Sequence, residues 1–137
     1  MTAPDTSVLV AGFDPSHLFH EQAQEALGEV RRRGRLVAHT IAETFAVLTA
    51  AGPYGLAGTT VLTYLERFLD REPIGLEPTA YVRALAELTD VDLVGGAVYD
   101  ALIALAARDA GATLVSLDRR AAATYRRCRA QFALVLP

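Results

Sequence analysis

An α/β fold, with a short and mostly parallel central sheet flanked by helices, is predicted by two features of the chain. Brief apolar strand candidates alternate with longer segments of helical periodicity, and the connections between them are short throughout. Size supports one compact unit. With 137 residues, 52% of them hydrophobic and 21% charged, the chain can bury a real core while two domains would be cramped, so residues 1–137 read as a single domain.

The elements follow in order. Asp5 to Gly12 carries the apolar run Val8-Leu9-Val10-Ala11, where a short strand and the start of a helix compete. Ser16 is placed to cap a helix from near His17 to about Arg33, with Phe19, Ala23, Ala26, Leu27 and Val30 at helical spacing and Gly34 as its stop. Leu36-Val37-Ala38-His39 reads as a buried strand, followed by Thr40 as the cap of a helix through Ala50. Gly52, Pro53, Gly55 and Gly58 mark a loop. From Thr59 to Leu69, the residues Val61, Leu62, Leu65, Phe68 and Leu69 fit one helical face. Pro73 to Leu76 reads as another short strand, and Pro78 suits the first turn of a helix through about Leu88. Gly95-Gly96 opens the clearest helix, about Ala97 to Asp109, which Gly111 ends. A continuous apolar strand from Thr113 to Leu117, a helix from Arg119 to Arg129 and a last strand from Phe132 to Leu136 complete the chain.

Composition excludes several chemistries. All 13 basic residues are Arg, so there is no Lys for a P-loop phosphate site or for a Schiff base. A single Cys128 allows neither an intrachain disulfide nor a cysteine zinc site, which suits a reducing cytosol. No apolar run reaches the roughly 18 residues of a membrane span, and Met1-Thr2-Ala3-Pro4-Asp5 is not a secretory leader, so a cytoplasmic protein without membrane contact is expected. The net charge of −3 argues against a strongly basic nucleic-acid scaffold.

Four carboxylates stand where solvated surface acids do not. Asp5 directly precedes an apolar segment, Glu43 lies near the start of a helix that follows a strand, Asp100 sits inside an Ala/Leu-rich helix, and Asp118 follows the strand 113–117. In a parallel sheet, strand C-termini and the helix starts after them gather along one edge, where ligands bind, so the four can converge. Clustered carboxylates repel, and hard divalent cations such as Mg²⁺ or Mn²⁺ resolve that cost through oxygen ligands while activating water against a phosphodiester. Structural roles compete for three of them: a helix cap for Asp5, a turn for Asp118, and a capping box with Thr40 for Glu43.

The stretches Asp5-Thr6-Ser7-Val8-Leu9-Val10, Ala42-Glu43-Thr44-Phe45, Gly95-Gly96-Ala97-Val98-Tyr99-Asp100-Ala101-Leu102-Ile103-Ala104 and Thr113-Leu114-Val115-Ser116-Leu117-Asp118-Arg119-Arg120 resemble PIN-domain ribonucleases of the VapC type, toxins of type II toxin–antitoxin pairs. The resemblance implies a PIN-like three-layer sandwich and RNA cleavage dependent on Mg²⁺ or Mn²⁺. It makes Asp5, Glu43, Asp100 and Asp118 the catalytic metal ligands, with Ser7 and Ser116 as supporting hydroxyls. It further implies a homodimer and an antitoxin lying across the active-site groove. A catalytically silent PIN fold, whose main ligand is its antitoxin, is the alternative. An Asp-based phosphohydrolase fits less well, because its second Asp would stand where Ser7 does. Only Met1-Thr2-Ala3-Pro4 precedes Asp5, and Pro4 lacks a ladder donor, so a short or imperfect first strand is expected.

Among the remaining polar residues, Arg119 and Arg120 adjoin Asp118 and are the candidate RNA contacts. Arg31, Arg32, Arg33 and Arg35 form a basic knot at a helix end, where cations are stabilising without any ligand. His17 and His20, one turn apart, read as a partly exposed helix face, since no third ligand accompanies them. Tyr54 is placed either to stack on an unpaired base or to pack on protein. Leu62, Leu65, Phe68 and Leu69 read as core, with an antitoxin groove or dimer seam as the alternative.

Overall fold

Pro4 ends the first strand without breaking its pairing. In the computed structural model, which describes residues 1–136, β1 (Thr2–Pro4) pairs in parallel with β2 (Thr113–Ser116), and β2 pairs in parallel with β3 (Phe132–Leu134), in the order β1-β2-β3. The ladder bonds Thr113 N–H to Met1 O (2.9 Å) and Asp5 N–H to Val115 O (3.0 Å) fall on odd residues of the first strand. Parallel pairing alternates sides, so the missing donor of Pro4 points away from β2. The strand is short, as expected, and in register.

The helices are α1 (Thr6–Phe13), α2 (His20–Arg33), α3 (Ala38–Thr49), α4 (Gly58–Glu66), α5 (Ala80–Asp90), α6 (Ala97–Asp109) and α7 (Arg119–Arg127). None among the described residues is long and apolar enough to cross a membrane. Alternation along β2 sends Leu114 to one face and Val115 to the other, and each faces its own core. Leu114 joins Ala84, Leu88, Ile103, Leu105 and Tyr125 from α5, α6 and α7. Val115 joins Val8, Leu9, Leu27, Leu48 and Leu65 from α1 to α4. Helices on both faces of a parallel sheet make the three-layer α/β sandwich anticipated from the sequence.

Several local expectations change. The ambiguous run 8–11 is helix, because Asp5 caps it through Val8 N–H (3.3 Å) and its residues are buried against α2. The helix expected from His17 starts at His20 instead. Asp14 Oδ1 accepts both the Ser16 N–H (2.9 Å) and hydroxyl (2.7 Å), so Ser16 is held in a side-chain turn and cannot cap. The strands expected at 36–39 and 73–76 reduce to one parallel bridge, Val37 with Ile74, because Ala38 already begins α3 by donating to Ile74 O (2.7 Å). Thr40 is therefore not a cap but a buried residue of α3, its hydroxyl unpartnered among the described residues. The strand expected to reach Leu136 ends at Leu134.

Gly34 does stop α2, and its φ of −94° shows that the reason is space rather than backbone freedom. A Cβ there would lie 2.6 Å from Thr2 O and 2.7 Å from Val30 Cα, both backbone atoms. Relieving that contact moves β1, the strand that delivers Asp5. Gly34→Ala is expected to destabilise the fold by about 1–3 kcal/mol, read as a lower melting temperature.

Candidate metal and nucleic-acid site

Asp5 is the first residue past β1, and Asp118 stands two residues past β2, so both project at the C-terminal edge of the parallel strands. Each also caps the helix that follows. Asp118 Oδ1 accepts from the N–H groups of Arg120 (2.8 Å) and Ala121 (3.3 Å) at the start of α7. The structural roles weighed for these two acids therefore hold alongside any chemical one.

Asp5 is 2% exposed and densely supported. Its Oδ1 accepts from the Ser7 hydroxyl (2.5 Å) and its Oδ2 from the Tyr125 hydroxyl (2.9 Å). Burial pushes its carboxyl above the ordinary range, and the hydroxyls of Ser116, Ser7 and Tyr125 oppose that shift by favouring the charged form. Ser7 Oγ also accepts the Leu117 N–H (2.9 Å), and Ser116 Oγ accepts the Asp118 N–H (3.0 Å). The two serines thus tie α1, β2 and the start of α7 around one carboxylate.

Glu43 reaches the same place from α3. It forms no capping box, since Thr40 caps nothing; its Oε1 instead accepts from the Thr6 hydroxyl, next to Asp5. Asp100 comes from the first turn of α6 and is half-buried. Its carboxyl is pushed up to about 6, first by burial and then by the negative charges of Glu43, Asp118 and Asp5. No hydrogen-bond donor offsets that burial and repulsion. Acids separated by up to 113 positions therefore act on one another across one small region.

Thr6 and Tyr125 were not singled out in the sequence. Thr6 adjoins Asp5 and was available as a signal; Tyr125 is 120 positions away, and only its burial against Asp5 reveals it. Burial first, and then the charge of Asp5 and its neighbours, push the Tyr125 hydroxyl strongly upward, so it stays protonated and donating. Tyr125→Phe is expected to lose about 1–3 kcal/mol of stability, the range for a hydrogen bond to a charged group, as measured by thermal or urea unfolding.

A cleft of about 910 Å³ opens beside these acids. Glu43, Asp118, Ser7 and Thr6 line one part of it, and Arg119, Arg120, His17 and Phe19 line another. Arg119 and Arg120 are exposed. In the other arginine group, Arg32 (2.8 Å) and Arg33 bind Glu29, and Arg35 Nε donates to Glu72 O (2.6 Å). His17 and His20 do not act as a pair, because Phe19 N–H donates to His17 Nδ1 (3.1 Å) while His20 Nδ1 meets Ala11 O (2.8 Å). Tyr54 packs on protein and donates to Asp14 Oδ2 (2.8 Å). Leu65 and Phe68 are core and Leu69 packs on it, whereas Leu62 is 49% exposed.

The donor set fits a hard divalent cation in kind, because it consists of carboxylates and hydroxyls. Among the described residues, no three His, Cys, Asp or Glu side chains are drawn together closely enough to hold an ion as they stand. Thr6 holds Glu43 and the α7 terminus holds Asp118, while Asp100 alone has no donor.

The chain matches the family described as "PIN domain" over residues 3–127, a span that contains all four acids and the strands and helices that position them. It belongs to the PIN-domain family. Ribonuclease VapC40 of Mycobacterium tuberculosis (strain H37Rv) is 42% identical to this PIN domain over 136 residues, 98% of this chain and 99% of the relative. Ribonuclease VapC27 of the same strain is 36% identical over 129 residues, 90% of this chain and 88% of the relative. Family and relatives together make the chain a PIN domain of the VapC type.

Proposed function

We propose that this PIN domain is a metal-dependent endoribonuclease, the toxin of a type II toxin–antitoxin pair. One feature carries the reading: Asp5, Glu43, Asp100 and Asp118 come from four separate segments, and after burial the negative charges of the other three hold the Asp100 carboxyl above its ordinary range, a cost that a cation would remove. The names of the relatives, ribonucleases of the VapC type, support the same activity.

In this reading Asp5, Asp100 and Asp118 hold the cation, and Glu43 either ligates it or orients the attacking water. Mg²⁺ or Mn²⁺ bound there supplies counter-charge and Lewis acidity for hydrolysis of a phosphodiester. The residues of the chain do the rest. Ser7, Ser116 and Tyr125 keep Asp5 oriented and favour its charged form, and Thr6 aims Glu43 into the cleft. Arg119 and Arg120, exposed on the cleft wall next to Asp118, attract RNA phosphates and set the strand across the acids.

The antitoxin and a homodimeric assembly belong to the same proposal. Val47 in the cleft wall, one turn from Glu43 on the same face of α3, offers apolar surface to a protein segment lying across the site. Incubating the purified chain with single-stranded and structured RNA tests the enzymatic reading. Cleavage in Mn²⁺ that stops in EDTA is expected; cleavage that survives EDTA overturns it.

A further inference from the structure

The rings of His39 and Tyr99 lie 5.5 Å apart between centroids with 5° between their planes. Parallel rings at that separation are slid past one another, so each keeps part of its face uncovered. His39 precedes Glu43 by four residues on α3 and therefore shares its helix face, about 6 Å away at Cβ. Tyr99 immediately precedes Asp100 on α6. The stacked pair thus sits on the face of α3 that carries Glu43, and spans from there to the first turn of α6.

Tyr99 is 55% exposed, the most exposed aromatic ring among the described residues, so its outer face is open to a ligand. A strut between α3 and α6 would be served equally by a buried aliphatic contact. The other aromatic pair near the site, His17 and Phe19, is tilted by 47° and offers no continuous flat surface. Unpaired bases bind proteins by stacking on exposed aromatic faces, and a platform beside the acids would fix which nucleotide sits next to the phosphate being cut.

We propose that the His39–Tyr99 stack is a base platform: it takes one unpaired nucleobase flanking the scissile phosphate, with Tyr99 as its positioning residue. The inference rests on the ribonuclease reading, and its test separates the two. The full chain is assayed in Mn²⁺ on a single-stranded RNA oligonucleotide with one cleavage site, and on versions carrying a single abasic nucleotide at each position around that site. Binding is followed in parallel by anisotropy of the same oligonucleotides in EDTA.

Stacking on one ring is worth roughly tenfold or more in affinity. Tyr99→Leu is therefore expected to raise KM about tenfold while kcat changes less than about threefold, and Tyr99→Phe to recover the KM. For the unsubstituted protein, an abasic nucleotide at one flanking position imposes the same penalty, and Tyr99→Leu no longer responds to it. That loss of response is one a merely structural role would not produce. A Tyr99→Leu protein that still discriminates the abasic position, or that loses kcat at unchanged KM, overturns the platform. So does a variant whose only defect is in binding a protein partner. RNA that is cut with a KM indifferent to Tyr99 overturns the platform and leaves the ribonuclease reading standing. RNA bound through Tyr99 but never cut does the reverse, and RNA neither bound nor cut overturns both.

Discussion

Asp100→Asn is expected to abolish RNA cleavage in Mn²⁺ while stabilising the metal-free fold. The two effects have one origin. Asparagine keeps the shape of the side chain and removes the charge, so the site loses a cation ligand and the other three acids lose a repulsive neighbour. Activity should fall by about a hundredfold or more, the scale seen when a group that stabilises developing charge is removed. Stability should rise by about 1–2 kcal/mol. A carboxyl lifted from 3.8 to about 6 corresponds to somewhat more at about 1.4 kcal/mol per pH unit, and partial exposure lowers the figure. Cleavage assays and melting curves in EDTA check both halves. An Asp100→Asn protein that is inactive and less stable would indicate a structural defect in α6 rather than loss of a charge-bearing site.

Metal and acid should stabilise the protein in competition with each other. Asp5 and Asp100 both titrate above the ordinary carboxylate range in the folded chain. For Asp100, between the unfolded value near 4 and the folded value near 6, the folded state binds more protons than the unfolded one. Stability from Asp100 therefore rises as pH falls through that window and is lost as pH rises above about 6, and the raised carboxyl of Asp5 acts in the same direction. In EDTA the melting temperature is expected to be higher at pH 5 than at pH 7.5, by about 3–5 °C for a chain of this size. Below about 4.5 the trend reverses, because Glu29, Glu87 and Asp14 are held low by their partners and lose those interactions on protonation. Mn²⁺ at pH 7.5 should raise stability by about 2.7 kcal/mol at 100 times its dissociation constant, and less at pH 5 where protons occupy the site. A melting temperature at pH 7.5 indifferent to Mn²⁺ would remove the cation from the proposal.

The acids were legible because their local settings conflict with ordinary helix and strand chemistry. Asp100 in the Ala/Leu-rich α6 is the clearest, since an Asp on an apolar helix has poor propensity and needs a partner, and in the fold burial and three like charges raise its carboxyl. The hydroxyl partners were less legible. Ser7 could be placed from its neighbourhood in sequence, but Tyr125 supports Asp5 from 120 positions away, and nothing in the helical pattern of 119–127 marks that contact. The helix starts near 17 and 40 were misplaced for a related reason. A serine or threonine ahead of an apolar run is a cap only if nothing claims it or the helix end first; here Asp14 claims Ser16, and Ile74 O takes the first N–H of α3.

By itself the sequence determined the alternation of strands and helices, the parallel sheet, and the segments that bear the acids, because periodicity and burial preference are written in consecutive residues. It also determined what is absent: lysine chemistry, cysteine–zinc sites and disulfides. Only the tertiary structure decided that Thr6 holds Glu43, that Tyr125 holds Asp5, and that His39 stacks on Tyr99. Those contacts join helices distant in the chain, and their existence depends on how two cores pack on opposite faces of one small sheet. Short-range pattern is silent about such pairings, because the same local sequence is compatible with many of them.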